Sequence, residues 1–293
     1  MKRTLMIAFS LAISTPAFAD ALEGAKSPAD IVAEASAEDW RAIPLDETLI
    51  IKLETGEVTV ALSPDLAPAH VAQIKKLARE NFYDGLSFYR VIDGFVAQGG
   101  DPFGERKIRT AKKKMKAEFE TAAKDVPFTP LPDVDGFAPQ SGFASSLPAG
   151  HDPATGTYWL LHCAGAFAFG REDGPDTAST EFYVALQPQR YLDRNMTVVG
   201  RVIDGMALLQ GLRRVSPPEA KEDDVGDKII SIRIASDLPA DERAEWEILD
   251  SARPAFSALA ESRRNRPEAF FHFRPGHLDV CQMPVPVRKK AAP

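Results

Sequence analysis

The sequence predicts a mainly β protein: a closed barrel of about eight antiparallel strands capped by two helices, with a proline- and glycine-rich insertion and a helical, then extended, C-terminal tail. Three observations carry this. Thr48 to Leu62, TLIIKLETGEVTVAL, alternates apolar and polar residues on both sides of Thr55-Gly56, a β-hairpin signature. Phe88 to Asp101, FYRVIDGFVAQGGD, holds two runs of β-branched and aromatic residues around an Asp93-Gly94 turn signal. Short strands follow at Tyr158 to Leu161, Ala164 to Phe169, Glu181 to Leu186, Val198 to Val202 and Lys228 to Ile234, with helices opened by Pro68 and Gly205. That set suits a small barrel filled by its own side chains.

The 293 residues, 44% hydrophobic and 26% charged, have ordinary globular composition, which argues against disorder and against a membrane span. Residues 1–19 combine Lys2 and Arg3, an apolar run from Leu5 to Ile13 and the small-residue pattern Ala17-Phe18-Ala19, and they read as a secretory signal peptide. Its removal moves the formal charge from −7 to −9, which argues against general nucleic-acid binding. The implied location is export, to a bacterial periplasm. From Ser27-Pro28-Ala29-Asp30 a capped helix is expected to run to about Trp40 and to dock on the main domain, within a helical extension over 20–45. The helix from Pro68 carries Val71, Ile74 and Leu77 on one face.

An insertion covers about 103–157. Glu105 to Lys116 holds seven basic residues, read as a solvated face in an acidic chain. Pro127 to Thr157, with six prolines and four glycines, reads as irregular but ordered. Beyond it, 237–293 is a C-terminal extension. Within it, 239–266 reads as helical, with Trp246, Leu249, Phe256 and Leu259 as apolar positions and Pro254 breaking it in two. Cys163 and Cys281 could form a disulfide that closes a long loop in an oxidising compartment, or stay as two buried thiols. A metal site from His162, Cys163, His277 and Cys281 is a weaker alternative, because the spacing fits no common zinc pattern. No cofactor is implied.

Three motifs point to a family. Phe88–Asp101 resembles the central motif of the cyclophilins, barrel-shaped peptidyl-prolyl cis-trans isomerases, down to Gln98-Gly99-Gly100-Asp101. AFGREDGPDTASTEFYVAL, Ala168 to Leu186, resembles the other wall of that family's groove in bacterial form. LDRNMTVVGRVIDGM, Leu192 to Met206, resembles the loop, strand and helix start that follow, so the resemblance covers roughly 46–236.

The resemblance implies an isomerase that acts on proline-containing unfolded or extended polypeptides and assists the folding of exported proteins. It places Arg90 as the donor to the proline nitrogen and Gln98 as the amide that supports it and contacts the substrate. The substrate pocket it implies comprises Phe95, Val96, Phe169, Gly170, Glu181, Tyr183, Tyr191, Leu192 and Met196.

Several positions depart from the family. Glu181 stands where a second glutamine is usual, and its carboxylate could pair with Arg90. Met196 stands for a histidine beside the pocket, Tyr89 for the histidine before the arginine, Tyr183 for the pocket phenylalanine and Tyr191 for the tryptophan linked to cyclosporin binding. These imply weak or altered catalysis and weak or no cyclosporin binding. The alternative function is a catalytically weak chaperone or proline-peptide binding module of the cell envelope; a structural envelope role rests on the extra segments alone. The insertion could reshape access to the groove, although decoration of the far side is the plainer reading. The tail, through Pro284 or Pro286, could occupy the pocket itself.

Overall fold

The computed structural model describes residues 24–122, 125–216 and 226–290, so the signal peptide expected over 1–19 lies outside the described residues. Eight strands form one antiparallel sheet: β1 (Thr48–Leu53), β2 (Gly56–Leu62), β3 (Ser87–Val91), β4 (Val96–Gly100), β5 (Ala166–Phe169), β6 (Phe182–Ala185), β7 (Val198–Asp204) and β8 (Ile229–Ile234). Their order is β8-β1-β2-β7-β5-β6-β4-β3. The two edges then meet. Ser87 bridges Lys228, and the Gly85 and Ile229 N–H groups donate to the Ile229 and Leu86 carbonyls at 2.8 Å, which nearly closes the barrel.

Successive strand residues point to opposite sides, and here both sides are apolar. Inward go Leu49, Ile51, Val58, Val60, Phe167, Phe169, Phe182, Val184 and Ile232, all sealed from solvent. Outward go Ala61, Val96, Ala166, Ala168, Tyr183, Ala185 and Val198, which form a second cluster with residues of the insertion and tail.

The helices are α1 (Pro28–Glu34), α2 (Pro68–Arg79), α3 (Met206–Gln210) and α4 (Pro254–Asn265). Val71, Ile74 and Leu77 of α2 are buried in the barrel core as their spacing predicts, each worth about 1.5–3 kcal/mol of burial. Ala67 supplies no side-chain cap to α2. Glu118 of the insertion does so instead, accepting from the Ala69 and His70 N–H groups at 3.0 and 2.9 Å and from the His70 ring at 2.6 Å. Burial alone would push its carboxyl up; these bonds outweigh it and hold the pKa below the ordinary value.

The basic run is the solvated face expected, its seven basic residues all exposed, and its backbone is held in place. Glu80 accepts from the Arg109, Thr110 and Ala111 N–H groups, and Gln73 exchanges two hydrogen bonds with the Lys112 backbone, so the run lies ordered along α2. The rest of the insertion is more regular than expected. Phe128–Pro130, Gln140–Ala144, Leu147–Asp152 and Thr157–Leu160 form a four-stranded antiparallel meander, so the strand near Tyr158 belongs here and not to the barrel. Its central hairpin turns on Ser145 and Ser146, both left-handed at φ 45° and 66°, a conformation usually signalled by Asn-Gly. Gly142 and Gly150 let the strands approach: a Cβ on Gly142 would lie 2.2 Å from the Thr129 carbonyl oxygen, and one on Gly150 2.4 Å from the Trp159 ring.

The ends also differ from expectation. α1 stops at Glu34, and Trp40–Ala42 is a strand paired with Trp246–Leu249, which in turn pairs with Val287–Lys289. The stretch expected to be helical around Trp246 is thus a strand. Pro254 opens α4 instead of breaking a helix, since proline fits the first helical turn. A third apolar cluster joins α4, the insertion sheet and the tail through Phe143, Trp159, Phe256, Leu259, Val280 and Met283. Asp133 holds these parts together, accepting from Arg264 Nε at 3.0 Å and from the Leu278 N–H at 2.9 Å. Cys163 and Cys281 are joined as a disulfide, with Cα atoms 4.9 Å apart and positions 118 apart in sequence. Both sulfurs are thereby removed from any metal-ligand set. Among the described residues no helix is long and apolar enough to cross a membrane.

Closing a loop of this length removes unfolded-state entropy worth about 4–5 kcal/mol. Reduction, or Cys281→Ser, should therefore lower the thermal midpoint clearly in a melting experiment, with the barrel's far-UV signal retained below it. Glu80 yields an acid-range expectation. Burial opposes its ionisation, yet the Thr110 hydroxyl and the N–H groups of Arg109, Thr110 and Ala111 bring its pKa from 4.5 down to about 2. Its hold on the basic loop is complete above the ordinary carboxylate value and lost as pH falls towards about 2. The Thr110 amide resonance should titrate at that lower pH and stop doing so in Glu80→Gln.

Candidate active site

The site is built on a row of cross-strand neighbours. Arg90 of β3 lies opposite Gln98 of β4, Gln98 opposite Tyr183 of β6, and Tyr183 opposite Ala168 of β5. All stand on the outer face of the barrel. A strand's period of two therefore turns a cation, an amide and an aromatic ring to the same side while their neighbours Phe182 and Val184 fill the interior.

These residues open onto a cavity of about 170 Å³ lined by Arg90, Phe95, Val96, Gln98, Gly170, Arg171, Tyr183, Leu192 and Met196. That is below the roughly 300–1,000 Å³ of drug-sized sites and suits one small ring. Gly170 keeps it open: a Cβ there would lie 3.3 Å from Glu181 Cβ and 3.4 Å from Gln98 Nε2.

Arg90 Nη1 donates to Gln98 Oε1 at 3.1 Å, and its guanidinium carbon sits 5.2 Å from the centre of the Phe95 ring. No acceptor among the described residues takes the remaining guanidinium N–H groups. Glu181 does not pair with Arg90. Its carboxylate accepts instead from the Tyr89 hydroxyl and from Gln98 Nε2, the latter at 2.8 Å. Because a carboxylate only accepts, it turns the amide nitrogen of Gln98 towards itself and the amide oxygen towards Arg90. Gln98 Nε2 also donates to the Tyr89 hydroxyl at 2.5 Å, so both amide hydrogens are used inside the protein. Burial, then the adjacent Glu181 carboxylate, pushes the Tyr89 phenol well above its ordinary pKa and keeps it a donor.

Two expected members stand elsewhere. Phe169 points into the barrel, 1% exposed and edge-on to His70 at 5.1 Å, because the alternation of β5 gives the outer position to Ala168. Tyr191 is 59% exposed on the turn Arg190–Leu192 and lies outside the cavity lining, although its neighbour Leu192 is in it. Pro286 does not enter the groove: its carbonyl accepts from the Leu249 N–H at 2.9 Å, and no tail residue lines the cavity.

Arg171 was missed as a lining residue; it is anchored by the Asn195 and Glu172 carbonyls at 3.1 and 2.7 Å. His162 was missed as well. It is fully buried behind Tyr183, whose hydroxyl lies 2.9 Å from its Nε2. A tyrosine at a pocket floor needs a buried partner for its hydroxyl, and that need was the available signal.

Residues 48–234 match the family described as cyclophilin type peptidyl-prolyl cis-trans isomerase/CLD. The chain belongs to that family. A probable peptidyl-prolyl cis-trans isomerase of Brucella suis is 33% identical over 193 residues, which is 66% of this chain and 84% of that protein. Peptidyl-prolyl cis-trans isomerase B of Bacillus subtilis is 32% identical over 161 residues, 55% of this chain and 86% of the relative. The crystal structure of a cyclophilin from Hirschia baltica aligns with a TM-score of 0.72 at 28% identity, covering 90% of this chain and 97% of that one. That likeness extends beyond 48–234 and so takes in part of the added segments. The present cyclophilin is thus an enzyme of the peptidyl-prolyl isomerase class with an enlarged outer layer.

In this cyclophilin Gln98 Oε1 accepts a hydrogen bond from Arg90 Nη1 and so fixes one side of the guanidinium. Gln98→Ala should lower kcat/KM at least about tenfold, one hydrogen bond to a charged group being worth about 1.5–3 kcal/mol. The melting temperature should hardly move; an unchanged kcat/KM would show that Phe95 stacking alone orients the guanidinium.

Proposed function

We propose that this cyclophilin is exported to a bacterial periplasm, where it isomerises Xaa-Pro bonds of exported proteins and assists their folding. The observation that carries the reading is Arg90: a guanidinium held from one side by Gln98, with free N–H groups at the mouth of a ring-sized apolar cavity. Amide rotation faces about 18–20 kcal/mol because the nitrogen lone pair is shared with the carbonyl. In the twisted transition state that pair returns to nitrogen, so a fixed donor aimed at it binds the transition state better than either ground state. Arginine is suited to this because it is always charged and only donates. One such bond contributes about 1.5–3 kcal/mol; the cavity formed by Phe95, Val96, Tyr183, Leu192 and Met196 holds the proline ring and supplies orientation.

Export is supported by the leader pattern of residues 1–19 and by a disulfide that suits an oxidising compartment. In a bacterial host, the N-terminus of the secreted form should be Asp20; recovery of a cytosolic chain that keeps the leader would sink this part. Tyr191 and Met196, where the family commonly has other side chains, support weak or no cyclosporin affinity.

A second reading has its own observation. Both amide hydrogens of Gln98 are engaged by Glu181 and Tyr89, which leaves that amide no donor for a substrate carbonyl and favours a slow isomerase that mainly holds proline-containing chains. Exchange NMR on an Ala-Pro peptide separates the two. Fast cis-trans exchange that falls at least tenfold in Arg90→Ala supports the enzyme. Peptide shifts with exchange at the uncatalysed rate would support the holdase.

A further inference from the structure

We propose that His162, Asp193, Arg190 and Asp135 are positioning residues for the proline pocket, and that the insertion thereby acts as the back wall of the active site. This rests on the reading of the groove as a proline site.

One unbroken chain of hydrogen bonds runs behind the pocket. Tyr183, whose ring forms the pocket floor, meets His162 Nε2 through its hydroxyl at 2.9 Å. His162 Nδ1 lies 3.0 Å from Asp193 Oδ1, which also accepts from the His162 N–H at 2.8 Å. An ionised Asp193 only accepts, so Nδ1 carries the proton and Nε2 takes the hydrogen bond from Tyr183. The second oxygen of Asp193 accepts from Arg190 Nε. Arg190 then grips Asp135 with both terminal nitrogens, at 2.9 and 3.0 Å, across 55 residues of sequence. Asp135 is fixed in turn by accepting from the Phe137 and Ala138 N–H groups at 2.8 and 3.0 Å.

The chain bears on the cavity at two points. Tyr183 is its floor, and Arg190 begins the single turn that carries Leu192 into its wall. A side branch reaches the opposite rim: the Gln189 N–H donates to the His162 carbonyl at 2.7 Å, and Gln189 Nε2 donates to the carbonyl of Gly94, beside Phe95, also at 2.7 Å. The Arg190 and Asp135 side chains are each 8% exposed. Buried ion pairs of this kind are poor sources of stability compared with apolar packing. Their bidentate geometry, one bond from each terminal nitrogen to a different carboxylate oxygen, fixes a direction, and here that direction sets the pocket wall.

The proline ring is gripped in ground and transition states alike, so a displaced wall weakens uniform binding. The test compares Asp135→Ala and Asp135→Asn with Asp133→Ala, which breaks the Arg264 pair in the same insertion without touching the chain to the groove. Asp135→Ala should raise KM for an Ala-Pro peptide about fivefold to tenfold with kcat within about twofold, with Asp135→Asn intermediate. Asp133→Ala should leave both constants unchanged. Methyl resonances of Leu192, read without peptide, should shift in the Asp135 variants and not in Asp133→Ala. That readout stands even if the groove proves not to be a proline site, whereas a wild-type protein that fails to bind the peptide would count against the groove reading alone. If Asp135→Ala does not fold, Asp135→Asn carries the test. Unmoved Leu192 resonances and KM in a folded Asp135 variant, or equal changes in Asp133→Ala, would overturn the proposal.

Discussion

The constraint on which this structure turns is that its barrel is apolar on both faces. A small barrel needs only its interior filled, and Phe167, Phe169, Phe182 and the aliphatic residues of β1, β2 and β8 do that. The strip made by Ala61, Ala166, Ala168, Ala185, Val96 and Val198 faces the other way and would bare a large apolar patch to water. Its side chains are short, which lets a second layer lie close. The insertion sheet and the strands Trp40–Ala42, Trp246–Leu249 and Val287–Lys289 supply that layer. The groove is the part of the strip left uncovered.

Polar groups in such a position have few places to go, and their arrangement follows from that. Tyr89, Gln98 and Glu181 satisfy one another on one side of the cavity. Tyr183, His162 and Asp193 do so on the other. Arg90 lies on the first set and keeps part of its guanidinium unsatisfied, which is the condition for offering a hydrogen bond to a bound chain. Arg201 is a contrast. It is half-buried, with a buried Nη1 that has no partner among the described residues, and burial pushes its pKa down to about 10, yet it lines none of the groove.

Much of the barrel and one side of the groove could be read from the sequence because local pattern determined them. The Thr48–Leu62 alternation, the Asp93-Gly94 turn and the α2 spacing are short-range signals, and Arg90 and Gln98 were conspicuous as polar residues in apolar strand pieces. The insertion sheet escaped notice because Ser145-Ser146 lacks the usual composition of its turn, and because glycines and prolines there serve close approach as well as irregularity. The strand around Trp246 was hidden by acidic neighbours and by partners at the opposite end of the chain. Phe169 was misassigned by one step of alternation, which in a strand is the difference between core and groove. The chain from His162 to Asp135 joins residues from separate segments, and no spacing in the sequence announces it.

The clasp between early and late segments also orders events in time. A chain delivered from its N-terminus by the ribosome can complete all eight barrel strands before Trp246–Leu249, α4 or Cys281 has appeared. Until then Trp40–Ala42 has no neighbour to pair with, the alanine strip lacks the part of its cover that Trp246 and Ile248 provide, and Cys163 waits as a thiol. Maturation therefore proceeds from the inside outward. With only two cysteines in the whole sequence, the last covalent step admits a single partner within the molecule, so the enzyme's outer layer is sealed without any need for disulfide reshuffling.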